Sequence, residues 1–475
     1  MSAIKWSIIV LIVIATSCLL AFGPRADESL PKNRVVIDYW EKWTGNEEAQ
    51  MRVIVNDFNN TVGAQKGIFV RYVSSSTINQ KTLVATAAGV PPDIAGLFDV
   101  NLVQFAAMGA LEPLEDLARQ HGITASYYKP VYWKGCNYNG HLWGLVSTPT
   151  VVALFYNKRI LHENAAALRA AGLDPDRAPR SIDELDRYAR VLTIQGSNGR
   201  VIRAGFLPME PNWYVNYICY WFGGNFWDAR SKRFTLTSPP VVKAYDWIQS
   251  YATWLGKDAM SDFRSGVGNF DSPQNAFLAG QVVMEMQGTF LANFIYNRKR
   301  SMSTVLWPRD VEMKKPAGER LRNYEWAVAP FPSAVPGLKD VAYCGFDVLA
   351  IPRGSKHKKE AFEFIAYVNR QDVMEKLNKM HCKNSPLAKV SEDFLNNHPN
   401  PYIRVFERLA NSPNAQTAPQ IPIMPEVVDE LNALSQRISL LQVRPAKALA
   451  ELQVRLQAQY DEFARQQRAR GSTAY

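Results

Sequence analysis

The sequence predicts an α/β protein in which the chain leaves one sheet and enters another. Three observations predict it. The first third of the chain alternates apolar strand runs with amphipathic helical stretches. Residues 138–158 place two apolar runs on either side of a polar joint that carries Pro149. The length, 475 residues, suits two or three domains. A composition 47% hydrophobic, with 12 Trp, 20 Tyr and 22 Phe, supplies large cores.

Each element has its local reason. Val35–Trp40 reads as a first buried strand, and Phe69–Val73 as a second. Between them Thr44 and Glu47 form a capping-box pattern, ahead of a helix with Met51, Ile54, Val55 and Phe58 on one face. A helix over Asn79–Ala88 ends at Gly89, and Pro91-Pro92-Asp93 opens a third strand. This β-α-β-α-β order predicts a parallel sheet with ligands at the carboxyl ends of its strands. Those ends carry Trp40-Glu41-Lys42-Trp43, Ser74-Ser75-Ser76 and Asp99-Val100-Asn101.

The joint follows. Asn139-Gly140 predicts a tight hairpin, because a type I′ turn needs positive φ at both central residues. A strand over His141–Val146 leads to Ser147, Thr148, Pro149 and Thr150, then to the apolar run Val151–Tyr156. Proline has no N–H for a ladder, so the two runs are not one central strand. The reading is a crossing between domains with a cleft beside it; an ordinary hairpin followed by a strand is the alternative.

Further on, Ser181 and Glu184 form a second capping box, with Ile182, Leu185, Tyr188, Ala189 and Leu192 facing inward. Trp213–Trp227 is the most aromatic stretch; Tyr217, Trp221 and Phe222 in it read as helix core. Ser238-Pro239 and Ser272-Pro273 each predict a helix start. Gln281–Met286 reads as a strand ending at Gln287-Gly288-Thr289, and Asn297–Asn323 as a basic surface excursion. Gly345–Pro352 is a further strand, Ser355 caps a helix over Ala361–Val368, and Pro445 breaks a last helical run, Glu426–Gln467.

The net charge of +10 lies in local clusters with no nucleic-acid motif beside them, which predicts solvated surface and no nucleic-acid partner. At the N-terminus, Lys5 and the apolar segment Trp6–Phe22 have the layout of an export signal or a short membrane anchor. Cys18 follows Ala15-Thr16-Ser17, which partly resembles a lipoprotein cleavage box, with Ala where Leu is usual. The other cysteines, Cys136, Cys219, Cys344 and Cys382, show no CxxC or zinc spacing. Both disulfides and buried thiols stay open, and neither metal nor cofactor is expected.

Several stretches together resemble family 1 of the extracellular solute-binding proteins, which serve sugar ABC importers and include maltose-binding-like members. They are the joint with its Asn-Gly-x-x-x-Gly-x-x-x-x-Pro spacing and Tyr156-Asn157-Lys158, Ala-Gly-x-Pro-Pro-Asp at 88–93, Phe105–Leu114, and Asn323–Pro330 as the return crossing. The resemblance runs from about Val35 to the C-terminus. It implies a two-lobed periplasmic-binding-protein fold of type II, each lobe a mixed, mainly parallel sheet flanked by helices. The expected division is 1–33 for signal or anchor, 34–148 with 327–369 for the first lobe, and 149–326 with 370–475 for the second. It further implies a monomer, exported and tethered through its N-terminus, that captures carbohydrate by hinge closure and delivers it to a membrane permease.

Sugars offer C–H faces to aromatic rings and hydroxyl rims to carboxylates and amides. By position in the family, ligand contacts are expected from Trp40, Glu41, Trp43, Asp99, Trp213, Asn225, Gln287, Gly288, Thr289, Phe346 and Asp347, with the hinge at Ser147–Thr150. The tryptophans read equally as core plugs, Asp99 and Asp347 as caps or turns, and Glu41 as a partner of Lys42 or Arg52. Cys344 stands where many members have Gly. An exported glycosidase using Glu41, Asp99 or Asp347 is the competing reading. The chain shows no G-x-S-x-G, P-loop or H-E-x-x-H motif.

Overall fold

The computed structural model of the protein describes residues 30–304 and 324–469. The export segment, Cys18 and most of the basic excursion lie outside them. In chain order the first three strands are β1 (Val35–Glu41), β2 (Ile68–Ser74) and β3 (Ile94–Phe98), with helices Gly45–Asn60 and Ile78–Ala87 between them. Met51, Ile54, Val55 and Phe58 are buried as one helical face, because a 3.6-residue period puts those positions on the same side. The β1–β2 and β1–β3 pairings are parallel, as the crossover helices require.

The hairpin forms from β4 (Asn137–Tyr138) and β5 (His141–Leu142), with φ of 51° at Asn139 and 82° at Gly140. The expected continuous strand over His141–Val146 divides. β5 stays with the hairpin, while β6 (Leu145–Pro149) joins the first sheet. Gly144 sits at the division, where a Cβ would come within 3.2 Å of Leu349 O. β7 (Val152–Asn157) then enters a second sheet with β8 (Ile194–Gln195), β9 (Val201–Phe206), β12 (Val282–Gly288) and β13 (Trp326–Ala329). The short hairpin β10 (Trp227–Asp228) and β11 (Arg233–Phe234) lies apart. The joint at Pro149–Val151 therefore carries the chain between sheets.

The first sheet is completed by β15 (Phe346–Ala350), in the order β2-β1-β3-β15-β6; the second runs β13-β7-β12-β9-β8. Both are mixed. In the second only β9–β12 is parallel, so the expected mainly parallel character does not extend to it: β7 and β13 run antiparallel to their neighbours.

Two of the expected boundaries move. Asn323–Pro330 is not the return to the first lobe, because β13 pairs with β7 in the second sheet. The chain re-enters the first sheet only at β15. Residues 371–380 also leave the lobe expected for them: Val373, Met374 and Leu377 are buried against the first lobe's elements. Helix Ile403–Ala410 touches both sides, with Phe406 5.9 Å from Phe155 of β7 and Glu407 2.8 Å from Lys129. Helices Met424–Ser439 and Pro445–Ala469 bury Val427, Leu431, Leu449 and Leu456 in the second core. The chain thus passes between cores three times, at 149–152, 330–345 and 411–423. The last two crossings lie side by side, because β14 (Ala342–Tyr343) pairs in parallel with β16 (Ala415–Gln416).

Local signals fare unevenly. Ser181 Oγ accepts from Glu184 N at 3.1 Å, and Pro445 opens the last helix after a break at 440–444. Ser272-Pro273 starts no helix; Asn275 Oδ1 instead takes the N–H groups of Phe277 and Leu278 in a run of turns. Thr44 precedes its helix without a side-chain cap. Trp221, Tyr217 and Phe222 are buried in a 3₁₀ segment, Val215–Phe222, as the core reading has it. Cys136, Cys219, Cys344 and Cys382 are buried free thiols, the last three pushed up to about 12 by burial.

Helix Ile182–Leu192 lies directly on β9 because Gly205 has no side chain there. A Cβ would come 2.4 Å from Ala189 O and 2.7 Å from its Cα. Gly205→Ala should cost about 1–3 kcal/mol, the usual penalty for overpacking a closed contact. The check is a lower urea midpoint at unchanged slope.

Candidate functional site

A cavity of about 650 Å³ opens where strand ends of the two sheets face each other across the crossings. The first sheet contributes Lys42 and Trp43 after β1, Phe98 at the end of β3 and Asp99 just after it, and Phe346 and Asp347 at the start of β15. The second contributes Trp213, Tyr214, Phe290 and Asn293. Thr148, Pro149 and Thr150 of the first crossing and Tyr343 of the second also line it.

Asp347 organises the first-sheet wall. Its Oδ2 accepts from Trp43 Nε1 at 3.2 Å and from Thr148 Oγ1 at 3.1 Å. Its Oδ1 lies 3.0 Å from Lys42 Nζ, which is also 3.1 Å from Glu41 Oε1. Burial alone would lower the Lys42 pKa, but the Asp347 and Glu41 carboxylates outweigh it and hold the ammonium above its usual value. The Ser74 hydroxyl donates to the Trp43 backbone carbonyl, and the Trp43 ring makes an edge contact with His381 at 5.1 Å. Trp43 is therefore a fixed ring at the cavity wall.

A second ion pair lies nearby. Lys383 Nζ is 3.0 Å from Glu47 Oε1 and 3.3 Å from Thr148 Oγ1. The carboxylate expected to box its own helix start is thus turned to a cation far along the chain. Burial would raise Glu47, but Lys383 and then His381 outweigh it and hold its pKa down.

Asp99 behaves differently. Burial, then the nearby Asp347 charge, raises its pKa to about 7, although Val100 N and Tyr343 OH (3.2 Å) donate to it. Tyr343, on β14, stacks on Tyr217 at 3.9 Å, so the cleft acid is joined to a hinge strand and to the second core.

Of the expected ligand residues, Trp43, Asp99, Trp213, Phe346 and Asp347 come together on this cavity. The others do not. Trp40 alternates away from Tyr39 and Glu41 along β1 and is half-buried. Glu41 is fully buried and accepts from Tyr39 OH at 2.5 Å and Lys42 N at 2.7 Å; it packs where a Gly96 Cβ would stand, 2.1 Å from its Oε2. Gln287 is fully buried, donating to Glu285 at 3.1 Å and accepting from Gly288 N at 2.7 Å. Thr289 is also fully buried, its hydroxyl 3.2 Å from Thr150 Oγ1. Gly288 is a spacer: a Cβ there would lie 2.5 Å from Thr150 Oγ1 and 2.7 Å from Tyr214 OH. Asn225 faces a different cavity, beyond the β14–β16 ladder, and donates to Gln416 at 3.4 Å.

Sequence reasoning missed Glu47, Phe98, Tyr214, Phe290, Tyr343 and Lys383 as lining residues, and placed Lys42 at a ligand-facing strand end without a contact of its own. Phe98 had a signal, an aromatic at a strand end beside Asp99; Lys383 had none. Among the described residues no cluster of His, Cys, Asp and Glu is arranged to hold a metal.

An acid whose pKa is higher folded than unfolded keeps its proton when the unfolded chain has released it. Stability then falls as pH rises from about 4 to about 7, and the loss is complete above that. Asp99→Asn removes this dependence. Relative to the parent, the variant should gain about 1 kcal/mol or more between pH 4 and pH 8. Denaturant titrations at the two pH values check it.

The comparisons with known proteins agree with this architecture. Residues 44–375, well over half of the chain, match the family described as bacterial extracellular solute-binding protein. The chain is 20% identical over 287 residues to the maltotriose-binding protein of Pyrococcus abyssi, covering 60% of this chain and 52% of that one. It is 21% identical over 315 residues to the sn-glycerol-3-phosphate-binding periplasmic protein UgpB of Pectobacterium atrosepticum, covering 62% and 64%. The chain thus matches about half to two-thirds of the length of these curated relatives. The solved structure of CpMnBP1 with mannobiose bound is similar in fold, with a TM-score of 0.72 at 23% identity over 89% of this chain and 99% of the other. The chain belongs to the bacterial extracellular solute-binding proteins.

Proposed function

We propose that this protein is the extracytoplasmic substrate-binding component of an ABC importer, which captures a carbohydrate in the cleft and delivers it to a membrane permease. The observation that carries the reading is one cavity walled by strand ends of two sheets, with the first two chain crossings lining its side. Trp43, Asp99, Trp213, Phe346 and Asp347 are the proposed ligand contacts, joined by Glu47, Phe98 and Lys383. Rings supply faces for sugar C–H groups, and the carboxylates and ammonium supply partners for hydroxyls.

A ligand that touches both walls stabilises the closed arrangement by as much as it binds that state better. Micromolar affinity corresponds to about 8 kcal/mol. The first crossing, Ser147–Thr150, is the proposed hinge, together with the paired second and third crossings. The protein is proposed to act as a monomer outside the cytoplasm, tethered by lipid at Cys18 or by an uncleaved N-terminal segment. Relatives bind maltotriose or sn-glycerol-3-phosphate by name.

Small-angle scattering with a sugar panel tests the reading: the bound ligand should reduce the radius of gyration. Asp347→Asn weakens the Lys42 pair and should reduce affinity about tenfold or more, roughly 1.4 kcal/mol. Isothermal titration checks it; an unaltered affinity removes Asp347 from the site. A second reading, glycosidase action, is favoured by one observation, that Asp99 and Asp347 line the same cavity and interact. Product release from oligosaccharides under turnover conditions would support it, and intact ligand recovered after incubation would exclude it.

A further inference from the structure

The cations inside the cleft are already matched by carboxylates of the chain itself. Lys42 lies 3.1 Å from Glu41 and 3.0 Å from Asp347, and Lys383 lies 3.0 Å from Glu47. Asp99 adds a further acid on the same wall. A phosphate entering here would meet carboxylates in a poorly solvated space, and would have to break existing ion pairs to find a cation. Arg298 and Asp271 also line the cavity, but both are exposed and opposite in sign, so solvent and salt screen them. Polar groups of this kind suit hydroxyls, which both donate and accept.

Two aromatic side chains break the usual rule of burial on the same cavity. Phe98 at the end of β3 and Trp213 beside the second sheet are each 46% exposed. Trp213 is backed by Phe270 at 4.3 Å and Phe290 at 5.8 Å, which fixes the ring as a platform. Phe98 carries the Lys42 ammonium 4.6 Å from its ring centre. A glycerol phosphate has no flat apolar face to cover either ring, whereas each pyranose has one. Even at the roughly 30 Å³ that a water occupies in the liquid, the atoms of one hexose fill about 360 Å³. Covalently bonded atoms lie closer than separate waters, so that figure is an upper one for a ring, and the cavity of about 650 Å³ has space for a second.

We propose that the cleft selects an uncharged oligosaccharide of at least two rings, one ring laid on Phe98 and another on Trp213, and discriminates against phosphate-bearing solutes. This rests on the carbohydrate-capture reading. Phe98 and Trp213 are then specificity-determining residues on opposite walls. Both are exposed, so truncating them removes ligand area and leaves the cores intact.

The test is isothermal titration of the full chain with three groups of probes. They are neutral di- and trisaccharides of α- and β-linkage, their constituent monosaccharides, and sn-glycero-3-phosphocholine with sn-glycerol-3-phosphate. The best neutral oligosaccharide should bind at least tenfold more tightly than any monosaccharide or phosphate ester. Phe98→Ala and Trp213→Ala should each weaken it tenfold or more, with the melting temperature of the ligand-free protein unchanged. Tighter binding of a phosphate ester than of every neutral saccharide overturns the proposal while leaving solute capture intact. A monosaccharide bound as tightly as the best oligosaccharide overturns the two-ring arrangement. Oligosaccharide affinity unmoved by both substitutions overturns the two platforms. Failure of every probe to bind would instead overturn carbohydrate capture itself.

Discussion

A carboxylate drawn out of water needs partners that replace what hydration supplied. Asp347 is largely shielded from solvent, and the first wall of the cleft supplies those partners. An indole N–H from the loop after β1, a hydroxyl from β6 and an ammonium from Lys42 all reach it. These groups come from two separate places in the chain, the stretch after β1 and β6, with Asp347 itself from a third, so the contact also sets their mutual positions. Glu41 extends the arrangement inward by holding Lys42 from behind and receiving the Tyr39 hydroxyl. The small size of Gly96 is what lets that carboxylate lie against β3. Removing any one member leaves its neighbours short of a partner in a poorly solvated place, where that loss is most costly.

The crossings place this wall opposite the second. Thr150 N donates to Gly345 O at 2.8 Å, tying the first crossing to the end of the second. β14 and β16 then tie the second to the third. Tyr343 stands in that ladder with its hydroxyl on Asp99 and its ring on Tyr217. A change in the angle between sheets is therefore felt at a cleft acid through one side chain. The near absence of space at Gly288, between Thr150 and Tyr214, makes the same region sterically exacting.

Much of the architecture was legible in the sequence because it rests on local rules. The Asn139-Gly140 hairpin, the sheet change at Pro149, the helix face of Met51 to Phe58 and the break at Pro445 each follow from backbone geometry or periodicity. What was not legible depends on partners distant in the chain. Glu47 lies three residues after Thr44, so a capping box was the local reading; Lys383 lies over three hundred residues away and claims the carboxylate instead. The return crossing was placed too early for a similar reason, since only the pairing of β13 with β7 shows which sheet it joins. Gln287 and Glu41 were chosen for their chemistry at strand ends, but alternation along β1 turned Glu41 inward and Gln287 lies on a strand buried throughout. At the site, residue type was informative and direction was not.

The four thiols are sealed in the folded cores, without a disulfide among them. For a protein that folds after export, this imposes an order of events. Until the cores close, Cys136, Cys219, Cys344 and Cys382 meet whatever oxidants surround the emerging chain, and any cross-link between them has no place in the finished molecule. Folding must outrun oxidation, or a reductase must undo the error. Once packing is complete these four sulfurs are out of reach of the redox state around the protein.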